Sequence, residues 1–407
     1  MLIDRILINM RPKVPKTNPS VRPVIVGQFG PPVLACIRSW GEQGFPVGMV
    51  CIHSKRETMP DSRYLDNSTT LAPEKLYKTD GIQIINEFLI KFKASGIICI
   101  NERIACWLND HSRVFPPDVA LWLPPNGTIR DLLSKKRQIE IAREVGLDIL
   151  PTHLINRDET TLNSIALEDF PLCLRPTEGG TVKPAFKVHL AYSPAELKKY
   201  IASRQKIEKP IIAQPFMNLP NLVVHGARTT SGETIGLQAF LVERKFEGVT
   251  LTIRPVNLER DLRSKCIEFT NRFNLTGNYH FEFLIDKNSG SVYFLELNSR
   301  LGGTTAKVYA CGYDEPMLAL QAYGIKGKAW GKPQDITVSS KEALLKYLYY
   351  TLANRLTPLD FPDEPGPIRM FKTLLGLFWY RDDVFNSGDV KGSISFYLGI
   401  LRVRFKR

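Results

Sequence analysis

The sequence has no apolar run near the ~20 residues that a helix needs to cross a bilayer, which argues against a helical membrane-spanning protein. It has no Cys-x-x-Cys pair. Its seven cysteines (Cys36, Cys51, Cys99, Cys106, Cys173, Cys266 and Cys311) are scattered, which argues against a disulfide framework and for buried thiols in a reducing compartment. Its six histidines (His53, His111, His153, His189, His225 and His280) are dispersed, with no spacing that suggests a zinc cluster or a catalytic triad. Internal repeats and low-complexity tracts are absent. Acidic residues are in short supply: 41 Asp and Glu against 54 Lys and Arg give a formal charge of +13. That balance favours anionic partners, whether nucleotides, acidic substrates, nucleic acid or a phospholipid surface. The opening MLIDRILINMRP places an acid before a short apolar stretch and does not read as a signal peptide. A cytoplasmic protein, at most peripheral at a membrane, is expected.

What is present suits a large folded chain. With 407 residues and 43% hydrophobic content, the sequence can bury two or three cores. Residues 21–26 read as a strand, 33–42 as a helix and 47–52 as a second strand. A helix over 82–93 then leads to a strand over 96–100. Strands alternating with helices predict an open parallel sheet. Gly27 and Gly30 fall short of a G-x-G-x-x-G fingerprint, and Pro31 and Pro32 follow them, so this unit reads as a scaffold. An amphipathic helix is predicted over 130–145, closed by Gly146. Strand-like 147–155 and a strand over 170–176 follow, the latter ending at the loop EGGTVKP. Ser193 and Pro194 are the cap and first position of the next helix. Strands are predicted over 210–216, 222–228, 233–242 and 249–255, and helices over 261–273, 304–311 and 340–354. The tail is less regular, and its LRVRFKR reads as an edge strand or basic strip.

The stretch 279–303, YHFEFLIDKNSGSVYFLELNSRLGG, carries the most information. It reads as a β-hairpin whose turn is Lys287-Asn288-Ser289-Gly290. Pairing Asp286 with Val292 puts Leu284 opposite Phe294 and Glu282 opposite Glu296. Alternation then brings Asn298 and Arg300 to the face of Glu296. Two carboxylates facing each other across a hairpin repel unless something positive lies between them. Two carboxylates and an amide oxygen suit Mg²⁺ or Mn²⁺, and an adjacent arginine suits phosphate. Alternation places His280 on the opposite face from Glu282's partner set, and it is given no role; His225 reads as a structural histidine.

The string FEFLIDKNSGSVYFLELNSR, with LTGNYHFEF before it and GGTTAKVYACGYDEP after it, resembles the ATP-grasp superfamily. It is most similar to the carboxylate–amine ligase branch of carbamoyl-phosphate synthase and biotin carboxylase. The resemblance spans roughly residues 21–325. It implies an α/β chain with a Rossmann-like parallel-sheet domain followed by two ATP-grasp lobes with antiparallel sheets. The corresponding divisions are 1–128, 129–212 (small lobe with a Gly-rich loop), 213–325 (large lobe with the metal-binding hairpin) and a helical or irregular extension over 326–407.

The resemblance further implies that Glu282, Glu296 and Asn298 are metal ligands and that Arg300 contacts phosphate or the reacting acyl group. It implies ATP contacts at Lys135 (with Lys136 as the alternative), at Gly179 and Gly180 of the loop, at Lys187, and at the hinge residues Gln214, Phe216 and Met217. Arg175 stands where the family has a lysine. Of the strand arginines Arg228, Arg244 and Arg254, the last is the preferred substrate-side cation, placed with Arg300 in catalysis. The implied activity is ADP-forming ligation: a carboxylate becomes an acyl phosphate and is joined to an amine, on an amino acid, peptide, or glycan or cell-envelope precursor. ATP and Mg²⁺ (or Mn²⁺) are the implied cofactors. Small-molecule carboxylate and amine substrates are expected, with a large anionic or lipid-linked acceptor and a homodimer left open and no specific nucleic acid. Alternatives are a non-catalytic nucleotide-binding scaffold and a protein that binds anionic surfaces.

Overall fold

The computed structural model describes residues 20–53, 61–328 and 332–404. The opening MLIDRILINMRP and the last three residues of LRVRFKR lie outside the described residues.

Three short apolar runs, one mostly polar edge strand and one two-residue strand build a parallel sheet. Strands β1 (Pro23–Gly27), β2 (Val47–Ile52), β3 (Leu65–Leu71), β4 (Gly96–Cys99) and β5 (Ala120–Leu121) lie in the order β3-β2-β1-β4-β5. All four pairings are parallel. Both faces are covered, as a parallel sheet requires. Val24 and Val26 pack with the Thr79–Phe92 and Glu102–Asp110 helices, and Ile25 packs on the other face with Ile37 and Trp40 of the Pro31–Glu42 helix.

The amphipathic stretch 130–145 is not one helix. It breaks into Asn126–Leu133 and Lys135–Glu144, because the Ser134 hydroxyl leaves the ladder and accepts from the Arg137 N–H as an N-cap. A small antiparallel sheet follows in the order His153–Ile155, Ile211–Pro215, Leu172–Pro176, His189–Ala191. Ser193 caps the Pro194–Ala202 helix by accepting from the Glu196 N–H, as its sequence predicts.

The largest sheet has seven strands: Val292–Asn298 at one edge, then Gly277–Ile285, Asn221–Arg228, Thr234–Phe246, Val249–Val256, Val338–Ser339 and Arg381–Asp382. Its two faces have different cores. Leu222, Phe281, Phe283 and Phe294 pack with Cys266 and Phe269 of the Arg260–Arg272 helix. Val223, Phe240, Val242 and Ile253 pack with Val308 and Leu318 of the Thr305–Ala310 and Glu315–Gln321 helices.

The C-terminal part is more regular than its sequence suggests. Lys341–Leu352 is joined by two further helices, Gly366–Trp379 and Val390–Arg404. The described part of LRVRFKR continues the last helix and is not an edge strand. This extension is anchored to the parallel sheet's domain through buried Arg38. Its Nε donates to Asp389 Oδ2 (2.9 Å), and its other nitrogens donate to Val384 O (2.6 Å) and Ser393 Oγ (2.9 Å).

Candidate functional site

The hairpin forms with Glu282 directly opposite Glu296. The turn is closed by Gly290 N–H donating to Asp286 O (2.8 Å), with Gly290 at φ +77°. Its register differs by one residue near the turn: Ile285 pairs with Val292 and Leu284 with Tyr293, not Phe294. A bulge between Glu282 and Phe283, with Leu295 as the extra residue on the partner strand, restores the predicted pairing at the carboxylates.

Gln138 fixes what faces those carboxylates. This buried amide accepts from Leu297 N–H (2.7 Å) and donates to Leu297 O (3.0 Å) and Leu132 O (2.6 Å). It therefore clamps the Lys135–Glu144 helix to the edge strand next to Glu296. One turn earlier, the Lys135 ammonium donates to Glu296 Oε2. Lys136 points elsewhere, 4.0 Å from Glu140. Arg175 stands 4.0 Å from Glu296 Oε2 and donates to Gln214 Oε1 (2.7 Å), which is itself held by Thr152.

These charges separate the two acids. Burial, then the charge of Glu296, pushes Glu282 above the usual carboxylate range. Burial would also raise Glu296, but Lys135 and Arg175 outweigh it and hold Glu296 below that range, helped by hydrogen bonds from Lys135 and Asn298. Asn298 Nδ2 lies 3.4 Å from Glu296 Oε1. Arg300 Nε donates to Glu102 Oε2 (2.8 Å) at the start of the Glu102–Asp110 helix, linking the hairpin face to the parallel-sheet domain.

A cavity of about 460 Å³ opens from this face. Lys135, Arg175, Glu282 and Glu296 line one part, and Gln214, Phe216, Met217 and Leu284 another. Gly179 and Lys187 of the glycine loop also reach it. Gly180 has φ +86° beside Arg103, whose guanidinium donates to Gly179 O. Sequence reasoning missed Lys245, a buried lysine on the cavity wall that donates to Leu219 O (2.7 Å) and Asn221 Oδ1 (3.2 Å). Burial lowers it to about 8, against the pull of Glu282. Two register shifts between Val242 and Lys245 turn its strand, so simple alternation could not have found it.

The structure does not bring Arg254 to this site. It pairs with Leu241, one residue out of phase with Ile253 and Val242, so it lies on the sheet face opposite Glu282 and Glu296. There its Nε donates to Glu243 Oε1 (2.7 Å). Arg228 binds Leu275 O and Asn271, and buried Arg244 lies over the Tyr347 ring, so neither lines the cavity.

Two of the dispersed histidines meet. His225 pairs with His280 across neighbouring strands, their rings stacked 5.2 Å apart, with His225 Nδ1 3.0 Å from Glu315. A spacing of two puts His280 on the face of Glu282, 3.9 Å from its carboxylate, not on the opposite one. Burial, then His225 and Arg300, keeps His280 well below the usual imidazole range, hence neutral.

A second cavity, about 650 Å³, lies between the ends of β1 and β2 (Gln28, Phe29, His53) and the C-terminal helices (Lys346, Ser395, Phe396). The turn between Phe246 and Val249 separates the two: Gly248 lines the first, Glu247 and Val249 the second.

No family model and no curated protein matches the sequence. Solved structures do match the fold. Biotin carboxylase from Campylobacter jejuni, in a β,γ-ATP complex, aligns over 78% of this chain and 74% of its own, with 16% identity and a TM-score of 0.61. The ADP complex of N5-carboxyaminoimidazole ribonucleotide synthetase aligns over 90% and 98%, with 13% identity and a TM-score of 0.61. L-amino acid ligase from Bacillus licheniformis aligns over 75% and 74%, with 16% identity and a TM-score of 0.57. With its parallel sheet, its small antiparallel sheet and its seven-stranded sheet edged by the carboxylate hairpin, the chain has the ATP-grasp fold.

Proposed function

We propose that the chain is an ATP-dependent ligase that activates a carboxylate as an acyl phosphate and joins it to an amine. The observation that carries this reading is the pair Glu282 and Glu296, face to face at a cavity that also holds Lys135 and Arg175. The donor set fits a magnesium ion: two carboxylates and the Asn298 amide oxygen are hard ligands, and the acids now rely on Lys135 and Arg175 for positive charge. Glu282, Glu296 and Asn298 would hold the ion, which when bound neutralises phosphate charge during transfer.

Lys135, Arg175 and Lys187 are the cations for the nucleotide phosphates, with the Gly179–Gly180 backbone alongside. Gln214, Phe216 and Met217 enclose the base. Arg300, held by Glu102, orients the reacting acid. An oxygen of the substrate carboxylate attacks the γ-phosphorus and ADP leaves. The amine nitrogen then attacks the acyl carbon, phosphate leaves and the nitrogen loses a proton. No protein nucleophile is needed, because alignment and electrostatics supply the catalysis. Two of the similar structures are complexes with an adenine nucleotide, which supports this reading. Arg254, on the opposite sheet face, is not given a part in it.

The second cavity suits the acceptor, because it lies one turn away and is walled by the extension. A lipid-linked acceptor fits the apolar surface of that extension. The test is ADP release against amino acids and uronic acids, singly and in pairs. Release that depends on one acid and one amine supports the ligase. ATP binding without release under every pair supports a nucleotide-binding scaffold instead.

A further inference from the structure

The C-terminal helices show an unusual distribution of side chains. The Gly366–Trp379 helix buries only Thr373 and Gly376. Leu377 packs inward, but six other large apolar residues face outward: Ile368, Phe371, Leu374, Leu375, Phe378 (78% exposed) and Trp379 (75% exposed). Positions 368, 371, 375 and 378 follow the helical period, so they form a stripe and not scattered exposures. The Lys341–Leu352 helix packs beside it and exposes Leu345, Tyr349 and Leu352, again at helical spacing. Two neighbouring helices therefore each expose a row of large apolar side chains, a feature that in soluble proteins marks an interaction surface.

The charges around this surface identify the partner. Between Gly366 and Arg381 there are three cations and no acid. Exposed Arg355 and Arg381 follow the ends of the two helices, three residues beyond Leu352 and two beyond Trp379. Asp363 pairs with Arg369 and Glu364 with Lys372, so these four charges offset one another, while Asp382 is buried and accepts from the Tyr397 hydroxyl and Phe385 N–H; the positive charge offered to a ligand is that of exposed Arg355 and Arg381. A second copy would set cation against cation in a chain of net charge +13. An anionic bilayer complements both features: Phe and Leu enter the acyl boundary, Trp and Tyr sit at headgroup level, and arginine meets lipid phosphate. Among the described residues no helix is long and apolar enough to cross a membrane, so contact would be from one side.

We propose that the Lys341–Leu352 and Gly366–Trp379 helices form a docking surface for an anionic phospholipid membrane. This rests on the surface itself, not on the ligase reading. The test is co-sedimentation of the full chain with vesicles of phosphatidylglycerol and phosphatidylcholine, against phosphatidylcholine alone, without nucleotide. Binding is expected to the mixed vesicles, weaker to the neutral ones and weakened by salt. A Phe378→Ser, Trp379→Ser variant should lose more than about tenfold in partitioning while its thermal unfolding is unchanged. Arg355→Glu with Arg381→Glu should abolish the preference for anionic lipid. Three results would overturn the proposal: no sedimentation of the unmodified chain, sedimentation unaffected by the serine pair, or a dimer that the serine pair dissociates in the absence of vesicle binding.

Discussion

Replacing Lys135 with methionine keeps the aliphatic stem and removes the charge that Glu296 leans on. The two side chains are 26% and 21% exposed, so the pair is neither a surface salt bridge nor a fully buried one. Exposed pairs contribute about 0.2–1 kcal/mol, whereas breaking a buried pair costs about 3–5 kcal/mol. An intermediate loss of about 1–2 kcal/mol is expected from urea unfolding without divalent metal. Arg175, 4.0 Å away, is then the nearest remaining cation of Glu296. On the proposed function, magnesium held by Glu282 and Glu296 would supply the missing charge, and Lys135 would no longer compete for the same oxygen. Added Mg²⁺ should therefore recover most of the loss in Lys135→Met and change the unmodified chain much less. Equal unfolding of the two proteins, with no difference in their response to Mg²⁺, would refute the electrostatic account of the hairpin.

Arg38→Met leaves Asp389 buried without its guanidinium, and about 3–5 kcal/mol of stability should be lost. Limited proteolysis should then cut near residues 384–393 before the sheets open; uniform resistance would show that this anchor is unimportant. Asp314 offers a pH test away from the cavity. Burial raises it from 3.8 to about 7 even though the Ser39 hydroxyl donates to it. Between those values the folded chain keeps a proton that the unfolded chain has lost. This contribution is therefore full below 3.8 and disappears as pH rises through about 7, with a slope of at most about 1.4 kcal/mol per pH unit. Asp314→Asn should flatten that part of the urea-derived stability curve, and an unchanged slope would rule Asp314 out as its source.

The parts that could be read from the sequence were those governed by a short local rule. Glu282 and Glu296 could be paired because a turn signal and two alternating strands lie within a few residues of each other. The bulge at Leu295 could not be read, yet it left the carboxylates opposite one another. Ser134 lies inside the apolar period, so the sequence reads as one helix, and only the hydroxyl's bond to Arg137 N–H ends one helix and starts the next. Arg254 has the right chemistry for a substrate cation. Its sheet face depends on a register two strands away from the hairpin, which the sequence does not encode locally. Lys245 was hidden by the same strand's irregularities. The Gly366–Trp379 helix was missed for a different reason: a soluble helix is recognised by burying its apolar side, and this one buries Thr373 and Gly376.

Titration of MgATP by calorimetry tests the metal-and-nucleotide face most directly. The unmodified chain should bind MgATP, and Glu296→Gln should weaken that binding by more than about a hundredfold, equivalent to roughly 3 kcal/mol, while its circular dichroism stays the same. Undiminished MgATP binding by a folded Glu296→Gln protein, or no binding by the unmodified chain, would contradict the account.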